Sequence, residues 1–271
     1  MYGKLKEPSP AQLRRENSIM AVTMVGLIAM VLLLLSPGGR HAHANIDRCA
    51  ASPDITALDM PLPHVAQALA RGGPLTIIAF GSSSTYGTGA SAPDKSYPSR
   101  LAKLLAARFP NIQINVLNRG VGGEVASTTE ERINSDVLPD HPDLVIWQVG
   151  TNDLLHDVDP AQAEDLIRNG TQIMKAAGID VVLMDLQFAP AILQHPQYRE
   201  MEHAIASAAY AEDVPVIHRF AMMREWAEDG RIPLSTMVAH DRLHMTDVSY
   251  DCLARQVGRS IVGAVKLTPK V

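Results

Sequence analysis

The sequence predicts an α/β protein: a three-layer α/β/α sandwich around a mainly parallel, five-stranded sheet. Two observations carry this. Five short runs rich in apolar and β-branched residues alternate with segments of helical periodicity. That order produces parallel strands joined by right-handed crossovers, with helices on both faces. The clearer strand runs also stop at loops of glycine and polar residues. In open α/β sheets ligands bind at that edge, beyond the carboxyl ends of the strands. At 271 residues, with 46% hydrophobic and 20% charged, the chain has enough material for one catalytic-sized domain and its core. No internal repeat or low-complexity stretch is present.

The elements follow in order. Residues 45–73 form a Pro-rich lead-in with a short helix from Pro63 to Arg71, ended by Gly72-Gly73-Pro74, and the main domain spans 74–271. The first strand is Leu75 to Phe80, and its exit is Gly81-Ser82-Ser83-Ser84-Thr85-Tyr86-Gly87-Thr88-Gly89. Ser96 is placed to cap a helix that has Pro98 in its first turn and Leu101, Leu104, Leu105 and Phe109 on one face. The second strand, Ile112 to Asn118, exits through Arg119 to Glu124 into a helix ending before Pro139. The third, Leu144 to Val149, exits into Gly150-Thr151-Asn152-Asp153, and a helix runs from Ala161 to Ala177. The fourth is Val181 to Leu186, followed by Gln187-Phe188-Ala189-Pro190 and a helix from Tyr198 to Ala211. The fifth is Val214 to Ile217. A helix from Ala221 to Glu228, a loop carrying Asp241 and His244, and a helix from Thr246 to Val265 complete the chain.

Composition excludes some functions. A net charge of -5, with no cluster of Lys and Arg, argues against a nucleic-acid partner, and 4% aromatic residues leave no stacking platform for single strands. The first 44 residues differ from the rest. Lys4, Lys6, Arg14 and Arg15 precede an apolar run from Ile19 to Leu35, and small residues at Ala42-His43-Ala44 follow. That order is a secretory signal peptide or, uncleaved, an N-terminal membrane anchor. Either reading exports the body of the protein to the periplasm or beyond. Arg14-Arg15 reads as an ordinary basic region or as a twin-arginine signal. In an oxidising compartment Cys49 and Cys252 could be joined in a disulfide; the alternative is two buried thiols.

Four of the predicted loops bring polar groups to one edge of the sheet. Ser83 lies beyond strand one, Gly122 and Gly123 beyond strand two, Asn152 beyond strand three, and Asp241 with His244 before the last helix. Serine ester hydrolysis needs a hydroxyl, a base for its proton, an acid to hold the base, and donors for the oxyanion. Asp241 stands three residues before His244, so in a turn it can fix one ring nitrogen while the other faces the serine. A glycine at 123 lets a backbone N–H approach a substrate oxygen, and the Asn152 amide can donate to the same oxygen.

These motifs resemble those of the SGNH or GDSL hydrolases. The family block Gly-Asp-Ser-x-(Ser/Thr)-x-Gly is matched by Gly81 to Gly87, Asn-x-x-x-x-Gly by Asn118 to Gly123, Gly-x-Asn-Asp by Gly150 to Asp153, and Asp-x-x-His by Asp241 to His244. The resemblance spans Leu75 to Val265 and implies a flavodoxin-like sandwich and ester hydrolysis without a cofactor. It implies Ser83 as nucleophile, Asp241 and His244 as acid and base, and Ser83, Gly123 and Asn152 as the oxyanion hole. Ser82 stands where the family usually has aspartate, which leaves loop geometry and substrate preference open. In the three-serine run, Ser82 and Ser84 remain alternative nucleophiles.

Other readings compete. The hydroxyl-rich first loop could hold a flavin phosphate or another phosphate, but that leaves Asn152, Asp241 and His244 idle. Gly120-Val121-Gly122 lacks the third glycine of a dinucleotide fingerprint. His240 and His244 have zinc-like spacing but no evident third ligand, so no metal is expected. His64, His195, His203 and His218 have no convergent partners. Asn152 and Asp153 could cap the next helix, and Trp147 and Gln148 read as strand packing. Tyr86, Gln187 and Phe188 are candidates to line the substrate pocket.

The expected function is that of an exported serine esterase acting through an acyl-enzyme. Short acyl chains or O-acetyl groups on carbohydrate are favoured as substrates. The alternatives are an O-acyltransferase on an envelope carbohydrate and an inactive binding protein on the same fold.

Overall fold

Five parallel strands form one sheet: β1 (Leu75–Gly81), β2 (Ile114–Gly120), β3 (Leu144–Gln148), β4 (Asp180–Met184) and β5 (Val216–Ile217). Their order is β2-β1-β3-β4-β5, the doubly wound order in which the chain reverses direction between β1 and β3. The computed structural model describes residues 47–267, so the N-terminal signal or anchor segment (1–44) lies outside the described residues. Every residue of β3 and β4 is buried, as is all of β1 except Thr76, because helices flank the sheet; strands covered on both faces read as continuous apolar runs. β2 lies at an edge, and its residues are half-buried or exposed.

The helices that position the site are α1 (Pro63–Arg71), α2 (Ser83–Tyr86), α3 (Tyr97–Arg108), α4 (Ala126–Glu131), α5 (Thr151–Leu155), α6 (Pro160–Ala176), α7 (Tyr198–Ala211), α8 (Arg219–Glu228) and α9 (Asp247–Val265). Their amphipathic faces explain their packing. Leu101 and Leu105 of α3 and Leu253, Val257 and Ile261 of α9 are all buried. Among the described residues, no helix is long and apolar enough to cross a membrane.

Three elements depart from the periodicity. β2 continues through Arg119 and Gly120, which pair with Phe80 and Gly81; an edge strand tolerates the polar and glycine residues that read as loop. The helix expected before Pro139 is broken into α4, a turn from Ile133 to Asp136 and a 3-10 turn from Leu138 to Asp140. The Thr128 and Thr129 hydroxyls hold its start, both donating to the Val125 carbonyl, and the chain leaves the path of α4 after Glu131. β5 is only two residues long because Pro215 has no N–H for the ladder, although its carbonyl still accepts from Leu183. Ser96 occupies the N-cap position of α3, but its hydroxyl donates to the Pro93 carbonyl (2.9 Å) and leaves the helix N–H groups uncapped.

The lead-in segment is tied along α8 and α9. The Ser52 N–H donates to the Glu225 carboxylate (3.0 Å), the Trp226 indole donates to the Ala50 carbonyl (3.0 Å), and Asp47 pairs with Arg259 (2.5 Å). Asp180 at the foot of β4 accepts the His64 and Val65 N–H groups at 2.9 and 3.0 Å, so a residue 115 positions away caps α1. Burial pushes the Asp180 carboxyl up to about 6 against the pull of those N–H groups. Cys49 and Cys252 are bonded across a sequence separation of 203 residues. Closing so long a loop removes much of the unfolded chain's freedom. Replacing both cysteines with serine is therefore expected to lower stability by about 3–5 kcal/mol, read from the urea midpoint under oxidising conditions. An unchanged midpoint would show that the contacts of Asp47, Ala50 and Ser52 suffice.

Candidate active site

The exits of β1, β2 and β3 and the loop before α9 meet at the carboxyl edge of the sheet, beside the reversal between β1 and β3. β1 ends at Gly81, and the chain turns at once into α2, whose first residue is Ser83. The loop before α9 is closed by an antiparallel bridge between Val238 and Met245 and by the Ala239 N–H to His244 carbonyl bond of 2.8 Å. Within it Arg242 takes a left-handed conformation (φ 65°), which turns the chain so that residues 241 and 244 face the same way. Gly89 brings the two loops together. Its φ is +90°, and a Cβ there would lie 2.4 Å from the Met245 carbonyl oxygen, so a larger residue would force the loops apart.

The side chains form one hydrogen-bonded line. His244 Nε2 lies 2.8 Å from Ser83 Oγ, and His244 Nδ1 lies 2.6 Å from Asp241 Oδ2. The other Asp241 oxygen accepts the Leu243 and His244 N–H groups, both at 3.0 Å. Burial pushes the Asp241 carboxyl up, but the Leu243 N–H, the His244 ring and the His244 N–H outweigh it and hold the group below the usual carboxylate range. An ionised carboxylate only accepts, so Nδ1 carries the ring proton. The Nε2 lone pair then faces the Ser83 hydroxyl, the arrangement of a nucleophile with its general base.

Gly123 lies on the loop after β2, close to Asn152 in the first turn of α5. Gly123 is exposed with φ +83° and has no atom within 4 Å of where a Cβ would be, so its backbone is open to solvent. The Asn152 amide donates one hydrogen to the Glu124 carbonyl (2.8 Å), the residue after Gly123, and keeps a second N–H. Asp153 caps a helix, but not its own: its carboxylate accepts the Ala126 N–H at the start of α4 (2.8 Å). Burial raises its carboxyl.

Ser82 and Ser84 face inward, away from the line. One amide oxygen, Gln148 Oε1, accepts from the Ser82 N–H (3.0 Å), the Ser82 hydroxyl (2.8 Å) and the Ser84 hydroxyl (3.0 Å), with the Thr85 hydroxyl at 3.5 Å. Gln148, expected to serve only strand packing, thus holds the turn that presents Ser83. Arg219, not singled out in the sequence, joins the same buried network through Ser84 Oγ at 2.8 Å. The signals for both were polar residues set in apolar runs.

The expected pocket residues divide. Tyr86, at the end of α2, is 64% exposed. Gln187 is a correction: it is 1% exposed, and its carbonyl accepts the Thr151 hydroxyl (3.0 Å), so it serves the interior. Phe188 is half-buried and packs edge-on against Phe220, with ring centroids 5.3 Å apart. Further along the same edge, Glu202 Oε1 on α7 is buried without a hydrogen-bond partner. Burial, with the Asp185 carboxylate adding to it, pushes the Glu202 carboxyl up to about 8.

Two outcomes are expected from this arrangement. Gln148→Leu leaves three buried donors without their acceptor and should cost about 2–4 kcal/mol in urea unfolding, and a loss under about 1 kcal/mol would mean the hydroxyls find other acceptors. For Glu202, the folded carboxyl titrates about 8 and the unfolded one near the ordinary 4.5. The folded state therefore binds the proton more tightly, and stability is full below about pH 4.5 and lost as pH rises through about 8. Glu202→Gln should remove that decline, seen as a Tm that falls less than wild type's between about pH 5 and 9; parallel curves would reject the assignment.

The Non-GDSL lipase-like family matches residues 48–267 of the chain. A two-domain esterase active on acetylated mannans superposes with a TM-score of 0.65 at 20% identity, covering 77% of this chain and 55% of its own. The chain thus spans a little over half the length of that protein. A variant of an acetyl-xylooligosaccharide esterase from Geobacillus stearothermophilus superposes with a TM-score of 0.59 at 23% identity, covering 70% of this chain and 95% of its own. The lipase/acylhydrolase from Enterococcus faecalis gives 0.60 at 23% identity, covering 70% and 96%. At these identities the likeness is one of fold. No curated protein matches the chain.

Proposed function

Since the chain belongs to the Non-GDSL lipase-like family, we propose that it is an exported serine ester hydrolase that works through an acyl-enzyme. The observation that carries this reading is the unbroken line from Ser83 Oγ through His244 to Asp241, with links of 2.8 and 2.6 Å. The family's name also agrees with Ser82, which stands where the GDSL pattern has aspartate.

In this mechanism Ser83 Oγ bonds to the ester carbonyl carbon while His244 Nε2 takes its proton. The ion pair with Asp241 stabilises the imidazolium so formed. The N–H groups of Ser83 and Gly123 and the free amide hydrogen of Asn152 hold the oxyanion, and the alcohol leaves with the proton from His244. Water, deprotonated by the same nitrogen, then attacks the acyl carbon, and Ser83 is regenerated as the carboxylic acid departs. Every step uses groups of this chain.

The fold shared with esterases active on acetylated mannans and acetyl-xylooligosaccharides supports O-acetyl groups on carbohydrate as the substrate class. The signal-like N-terminus and the bond between Cys49 and Cys252 support export to an oxidising compartment. Hydrolysis of para-nitrophenyl acetate and release of acetate from acetylated xylooligosaccharides test the reading together. Ser83→Ala should lower kcat by at least ~10³-fold in both assays, while Ser82→Ala retains turnover. Equal rates for wild type and Ser83→Ala would reject Ser83 as nucleophile, and acyl transfer to an added sugar in place of acetate release would make the enzyme a transferase.

A further inference from the structure

Arg219 is fully buried, yet among the described residues no carboxylate pairs with it. The Asp185 carboxylate beside it is occupied elsewhere, accepting the Phe220 N–H at 2.9 Å and facing His218 Nδ1 at 3.5 Å. The guanidinium instead meets only neutral oxygens. Nη1 donates to Ser84 Oγ (2.8 Å), and Nη2 donates to the Asp185 carbonyl (2.5 Å) and reaches Thr151 Oγ1 at 3.5 Å. Its Nε–H has no partner. Burial lowers the group to about 10, which still leaves it cationic at neutral pH. The nearby Asp185 carboxylate favours that charge without bonding to it, so the donors of the buried fork are spent on neutral oxygens alone. The burial of α8 does not need it, because Phe220, Met222, Met223 and Trp226 already supply a buried apolar face.

The positions it touches suggest what it does. Ser84 follows Ser83 in α2, and Thr151 precedes Asn152 in α5. One planar group thus spans α2 and α5, the helices that follow β1 and β3 and carry Ser83 and Asn152, and it is anchored at the exit of β4. The hydroxyls it meets pass the order on: Ser84 donates to Gln148 Oε1 (3.0 Å) and Thr151 to Gln187 Oε1 (3.0 Å). Because Arg219 can only donate, both hydroxyls are oriented as acceptors toward it and as donors toward the two glutamines.

We propose that Arg219 is a positioning residue for ester hydrolysis, a buried fork that sets the separation of Ser83 and Asn152 through Ser84 and Thr151. This rests on the serine-hydrolase reading of the same site. The fork geometry matters because a guanidinium presents coplanar donors to several oxygens at once, whereas an ammonium is a point charge on a flexible stem. Arg219→Lys keeps the charge but loses the bridge. It should lower kcat on para-nitrophenyl acetate by about 10- to 100-fold with KM within about threefold, the size of effect expected from a displacement of about 1 Å.

Ser84→Ala and Thr151→Val each cut one arm of the fork while leaving the buried cation in place, so they serve even where position 219 variants do not fold. Each should slow both kcat and the rate at which a fluorophosphonate modifies Ser83, a readout independent of substrate binding, with Tm recorded to establish folding. Combining either with Arg219→Lys should give much less than the product of the two effects, because both act through the same bridge. Folded Ser84→Ala and Thr151→Val proteins that keep wild-type kcat and labelling rates would overturn the proposal. A wild-type protein that neither hydrolyses ester nor takes up fluorophosphonate would instead overturn the hydrolase reading beneath it.

Discussion

A single amide oxygen at the end of β3 sets the terms for the whole site. The turn that follows β1 carries three consecutive serines, and only one of them can face the solvent edge if the others have somewhere to donate. Gln148 Oε1 supplies that place for the Ser82 N–H and for the Ser82 and Ser84 hydroxyls. With both neighbours drawn inward, Ser83 is left on the outer side of the turn, 2.8 Å from His244. An apolar residue at 148 would leave the buried Ser82 and Ser84 hydroxyls without their acceptor, and unpaired polar groups are costly away from water. The same dependence explains why a serine can stand at 82 where a carboxylate is usual in related hydrolases. Its hydroxyl and N–H both bind one neutral acceptor, Gln148 Oε1.

The outer half of the site is built differently. Asp241 and His244 come from one tight loop, so their mutual geometry is local and depends on the left-handed Arg242 and the bridge between Val238 and Met245. What is not local is the approach of that loop to Ser83, and this is where Gly89 matters, because the chain after α2 must pass within contact of Met245. The Tyr250 hydroxyl, which donates to the Thr88 carbonyl at 2.7 Å, fastens the same junction from α9. The line from Ser83 to Asp241 is therefore assembled from a self-sufficient turn, a self-sufficient loop and a close backbone contact between them.

Much of this was legible in the sequence, and the limits follow from the kind of information involved. The strands showed because β1, β3 and β4 are buried on both faces and so run as unbroken apolar stretches. The edge strand β2 was misplaced at its end because Arg119 and Gly120 are tolerated only at an edge, a fact of topology rather than of local pattern. Ser83, Asp241 and His244 were legible as candidates through motif spacing, and the fold brings the three into one hydrogen-bonded line. Gln148 and Arg219 were missed because their partners lie 66 and 135 residues away in the chain, at distances no periodicity reports. Gln187 was read outward for the same reason: its hydroxyl partner Thr151 belongs to the exit of another strand.

The bond between Cys49 and Cys252 makes residues 49–252 a closed covalent ring. All five strands lie inside it, together with Ser83, Gly123, Asn152, Asp241 and His244. A single cut in any loop of the ring opens it without releasing a fragment, so Ser83 and His244 stay on the same molecule. In a protease-rich surrounding, the chain can be nicked once and still keep every part of its chemistry in one covalent body.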